Sequence, residues 1–176
     1  METKRMFLAA LAAAFALTAC SSTGQPGDTG RKASTSGQES RADSGACRLL
    51  ADHEGRGKNM VYRCNINAVM KTADARAALD ANIPVSFGGN GKYRTNATAR
   101  SLGKDEAASC ERAVVNAVNN LQNRVKKDGG KRLTNVVSYA AQNNGRFDAK
   151  RFLPAGQADC IVATFQSRVV LRGSVN

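Results

Sequence analysis

Between positions 107 and 125 the side chains Ala107, Cys110, Val114, Ala117, Val118, Leu121 and Val125 recur at spacings of three and four. That rhythm places all seven on one face of an α-helix. The ends agree with it. Asp105 and Glu106 put negative charge beside the unpaired amides, and Arg124, Lys126 and Lys127 put positive charge beside the unpaired carbonyls. Gly129-Gly130 then supplies the residue type that takes the left-handed conformation at a helix end. A helix over 105–128 with so long an apolar stripe must lie across a broad partner surface.

The flanking segments predict that surface to be a sheet. Met60, Tyr62, Cys64, Ile66 and Ala68 alternate within residues 59–69, the period of a strand. Thr72 is placed to cap a short Ala-rich helix over 73–81. Residues 83–87, 133–139 and 160–171 predict further strands, the last long and rich in Val, Ile and Phe. Residues 88–104 and 140–157 are polar and predict loops. The order β-α-β-α-β-β predicts a small α+β domain over 47–176, a sheet covered by one main helix.

The residues before it predict an address and a tether. Lys4 and Arg5 precede an apolar run, residues 6–17, of signal-peptide length and too short to span a bilayer. It ends in Leu17-Thr18-Ala19-Cys20, which resembles the lipobox of bacterial lipoproteins. The resemblance implies cleavage after a signal peptide over 1–19 and acylation of Cys20, palmitate-type chains included. Two or three acyl chains hold a protein on a membrane for good, where one does not. Ser21 and Ser22 follow with no Asp, which by the enterobacterial sorting rule implies the outer membrane. Residues 20–46 are Ser-, Thr-, Gly- and Gln-rich with no aromatic residue. Such a segment predicts a disordered tether with a reach of roughly 30 Å.

With Cys20 assigned to lipid, Cys47, Cys64, Cys110 and Cys160 remain. An exported chain with an even remainder predicts disulfides, and four cysteines allow three pairings. The preferred one is Cys47–Cys64 with Cys110–Cys160. The second bond would join the buried helix face to the last strand. A zinc site would need all four scattered cysteines, since the chain has one histidine, His53.

Formal charge is +12, and 21 Lys and Arg against 10 Asp and Glu place +11 of it in residues 47–176. Such a surface predicts an anionic neighbour. Lys126, Lys127, Lys131 and Arg132 gather near the helix end, and Arg168 and Arg172 lie on the last strand. Together they are the candidate site for an anionic envelope component or an acidic protein. Few aromatic residues and an exported location argue against nucleic acid. His53 stands between Asp52 and Glu54, yet sequence neighbours point apart and no activated nucleophile accompanies them. The expectation is therefore a non-enzymatic interaction, structural or stress-sensing module without cofactor or metal. The alternative, an enzyme or accessory factor of envelope remodelling, would need a site not visible in sequence.

The pieces Ile83-Pro84-Val85-Ser86-Phe87-Gly88, Thr95-Asn96-Ala97, Lys104-Asp105-Glu106 and Cys110 recur in order, followed by Leu121-Gln122, Gly129-Gly130 and Asn135-Val136-Val137-Ser138. Cys160 and the run from Val169 to Val175 complete the pattern. In this order they resemble small proteobacterial lipoproteins that carry the label "excinuclease ABC-like". The resemblance implies a compact α/β domain akin to the Rcs stress-sensor lipoprotein and the YbjQ-type fold, and no enzymatic activity. An excinuclease ATPase requires a P-loop. In Gly88-Gly89-Asn90-Gly91-Lys92 the spacing is wrong, and Tyr93 stands where Ser or Thr should be, so an ATPase is rejected.

Overall fold

The computed structural model describes residues 45–51, 59–142 and 144–176. In chain order these form β1 (Cys47–Ala51), β2 (Met60–Asn65), α1 (Ile66–Met70), α2 (Ala73–Ala78), β3 (Val85–Phe87) and β4 (Tyr93–Arg100). Then follow α3 (Glu106–Lys127), β5 (Leu133–Ala141), β6 (Phe147–Phe152), β7 (Gln157–Val162) and β8 (Gln166–Val175). The architecture is a small α+β domain with one main helix, as expected, but with more strands than expected.

Strand β8 is the axis of a curled, mostly antiparallel sheet. Along one edge it pairs with all of β4, from Tyr93↔Gly173 to Arg100↔Gln166. Its other edge is shared: β7 takes the first half and β5 the second. From β7 the sheet continues through β2 to β1, and from β5 to a parallel β3 and an antiparallel β6.

Helix α3 forms where its stripe predicts. The Asp105 carboxylate accepts the Ala107 N–H at 2.8 Å and so caps the first turn. At the far end Gly129 sits at φ 71°, with Gly130 N–H donating to Val125 O and Gly129 N–H to Lys126 O. That pair of bonds is the Schellman stop. The buried stripe packs on the sheet with Ala97, Ala99, Cys160, Val169 and Leu171. Buried Gln122 adds a polar clamp. Its Nε2 donates to Asp80 O and Ile83 O, and its Oε1 accepts the Asp80 N–H, which ties the connection between α2 and β3 to the helix.

Cys47 is bonded to Cys64 and Cys110 to Cys160, the preferred pairing. The first joins register partners on β1 and β2. The second ties α3 to β7.

Four expectations need correction. Residues 59–69 are a strand only to Asn65, whose side chain accepts the Ala68 N–H and caps α1. Residues 88–104 contain β4, whose inward side chains are small because α3 lies close above it. Residues 140–157 contain β6, a mostly exposed strand without an apolar alternation. Residues 160–171 are parts of two strands, β7 and β8, joined by a turn in which Ala163 N–H donates to Gln166 O.

Candidate functional site

Alternation along β8 gives the sheet two unlike faces. Ser167, Val169 and Leu171 belong to the side packed by α3, while Arg168, Val170 and Arg172 alternate to the other side. Strand β4 does the same, placing Arg94 opposite Arg172 and Thr98 opposite Arg168 in register. Three arginines therefore cluster on the face turned from the helix.

Their guanidinium groups are held by carbonyls, amides and rings. Arg94 lies over the Tyr139 ring at 5.6 Å and Arg168 over Phe147 at 5.4 Å. Tyr139 in turn packs on Phe152, centroids 4.9 Å apart. Arg168 Nη2 donates to Gly145 O at 3.1 Å. Arg172 donates to Asn90 Oδ1 at 3.2 Å and Lys92 O at 3.3 Å, and its buried Nε has no hydrogen-bond partner among the described residues. None of the three pairs with a carboxylate among the described residues.

The acid on this face is already committed. Asp159, 1% exposed, receives Arg63 Nε at 2.9 Å and Nη2 at 3.2 Å, and also the Ala141 N–H at 2.8 Å. Arg48 is the register partner of Arg63 on β1. Both line an open cleft of about 230 Å³ together with Asn65 and Gln157. The result is a positive sheet face with aromatic rims, suited to binding anions and presenting no nucleophile.

The structure does not gather the six expected basic residues into one patch. Lys126 and Lys127 end α3, and Lys126 Nζ is bonded to Asp80 at 2.9 Å. That hydrogen bond, with help from the Asn82 N–H, holds the Asp80 carboxyl below its ordinary value. Arg124 binds Asp128 at 2.8 Å and lowers its carboxyl likewise. Lys131 and Arg132 form the turn into β5, their N–H groups donating to Asn176 O. Arg168 and Arg172 lie on the sheet face opposite to α3. The helix-end group is thus partly a dipole and ion-pair arrangement, and the strand group is a separate cluster.

Arg94 belongs to that cluster and was absent from the sequence-based set, because residues 88–104 predict a loop. The signal that finds it is the alternation Tyr93, Thr95, Ala97, Ala99 against Arg94, Asn96, Thr98, Arg100. The glycine run 88–91 leads into this strand and not into a helix, unlike a P-loop. Cys20, the 1–19 signal segment and His53 lie outside the described residues. Compared with protein-family models, curated proteins and solved structures, the chain has no match.

Proposed function

We propose that the chain is an exported lipoprotein anchored through Cys20 in the bacterial outer membrane, and that its domain is a non-catalytic, periplasmic binding module. The partner is a phosphate-bearing envelope component. The observation that carries this reading is the clustering of Arg94, Arg168 and Arg172 on one sheet face, none paired with a carboxylate among the described residues. Guanidinium forks match phosphate oxygens in geometry and stay charged at any physiological pH.

Three features support the rest. Two disulfides suit an oxidising compartment. The Leu-Thr-Ala-Cys segment and the lipoprotein family the chain resembles both imply an acylated Cys20. The described carboxylates serve the fold: Asp159 holds Arg63, Asp80 holds Lys126, Asp74 holds Arg112, Asp128 holds Arg124 and Asp105 caps α3.

The test uses the full chain carrying Cys20→Ala, so that the anchor does not mask binding, with lipopolysaccharide and its dephosphorylated form as probes. Binding to the phosphorylated form should weaken steeply with added salt. Arg94→Gln with Arg168→Gln should weaken it at least tenfold at unchanged far-UV circular dichroism. Equal binding of the two forms, or no effect of the double substitution, would overturn the reading.

A further inference from the structure

One end of the sheet carries a feature that the arginine face does not explain. Phe165, in the turn between β7 and β8, is 68% exposed, and Leu102, just after β4, is 48% exposed. Large apolar side chains left this open at loop tips carry a hydration cost that a monomer has no need to bear.

The two loops are neighbours, held together by backbone. Ser101 N–H donates to Phe165 O at 3.1 Å, and Ser101 Oγ donates to Ala163 O at 3.0 Å. Ser101 itself is buried, so Leu102 and Phe165 stand on a fixed base and not on drifting loops. Exposed Arg100 and Lys104 flank the pair, Arg100 being the register partner of Gln166. Of the neighbouring acids, Asp105 is engaged in capping α3, and Glu106 accepts the Tyr62 hydroxyl at 3.1 Å.

We infer that this tip docks the domain on an anionic phospholipid bilayer. Phe165 and Leu102 enter the headgroup region, and Arg100 and Lys104 meet lipid phosphates. The charge pattern selects this occupant: an apolar pair between two cations fits an interface whose surface is anionic and whose interior is hydrocarbon. The inference goes beyond the arginine face and uses different residues. Docked this way, the turn between β7 and β8 points at the membrane and the axis of β8 stands away from it.

The chain contains no tryptophan, so one substitution makes a site-specific probe. Phe165→Trp in the full chain is mixed with phosphatidylglycerol/phosphatidylethanolamine vesicles containing brominated lipid. Its emission should shift to the blue and be quenched. Asn123→Trp, exposed on α3 and roughly 25 Å along the helix from its start, should show neither change. The probe reads insertion of the tip whether or not Cys20 carries lipid. With Cys20→Ala added, Leu102→Ser plus Phe165→Ser should weaken vesicle partitioning about tenfold or more. Both sites are exposed, so the fold should be unaffected. Arg94→Gln with Arg168→Gln should leave the Phe165→Trp quenching in place, which separates the tip from the arginine face. Equal quenching of the two probes, or unchanged partitioning of the double serine variant, would overturn the inference.

Discussion

Asp159→Ala tests how the arginine face is held. The carboxylate is 1% exposed and receives three donors, two from Arg63 and one from the Ala141 N–H. Truncating one partner of a buried ion pair costs about 3–5 kcal/mol when the other is left dry. The Arg63 side chain is 28% exposed and can recover water, which moves the cost to the low end. The Ala141 amide loses its acceptor as well, which costs about 1 kcal/mol or more. A loss of about 3 kcal/mol follows, or about 10 °C in Tm for a domain of this size. Asp159→Asn keeps an acceptor for Ala141 and should lose about half as much. Urea unfolding followed by circular dichroism under non-reducing conditions measures both, with an unchanged denaturant slope expected. A loss below about 1 kcal/mol for Asp159→Ala, or an Asn variant as damaged as the Ala variant, would rule out a buried pair holding this face.

Removing Cys110 and Cys160 together should cost about 4 kcal/mol, and removing Cys47 and Cys64 about 3, since the first closes the longer loop. The loops do not overlap in sequence, so the losses should add, as a four-cysteine variant in chemical denaturation would reveal. Gly91→Ala should destabilise by about 2 kcal/mol or more, because the new methyl meets the Gly173 backbone and lies 2.8 Å from the Arg172 carbonyl carbon. Thermal unfolding checks it, with Gly91→Ser expected to be no milder. Asp80 and Asp128 are held below the ordinary value of 3.8, so each favours the folded state only while ionised. Their contribution is complete above that value and drains away as pH falls below it, through the lowered folded-state values. Asp80→Asn with Asp128→Asn should therefore flatten the loss of Tm between about pH 4 and 2, and an unchanged acid limb would contradict this.

The main helix was legible because its signals are local and redundant: a stripe, charged ends and a Gly-Gly stop all point to the same boundaries. The disulfide pairs were legible for a related reason, since Cys110 shares that stripe and Cys64 the β2 alternation. What failed was strand punctuation. The reversal between β7 and β8 runs Ala163-Thr164-Phe165-Gln166, without glycine, proline, asparagine or aspartate, so nothing marks it as a turn. Its tightness is set instead by pairing, Val162 against Ser167, with the loop after β4 bonded to its carbonyls.

A similar lack of contrast hid half of the arginine face. Strand β4 turns Ala97 and Ala99 toward α3, and residues this small do not register as an apolar alternation against Asn and Thr. Larger side chains there would push away a helix that the Cys110–Cys160 bond holds to the sheet. Close helix packing thus requires an inconspicuous strand, and that strand carries Arg94. Arg168 and Arg172 stood out because β8 pairs a visible apolar row, Val169 and Leu171, with a visible basic one. Once β4 is placed beside β8, the register alone brings Arg94 to Arg172. The basic face is then a consequence of two alternating strands, one legible and one not, and its aromatic rim comes from β5 and β6 through Tyr139 and Phe152.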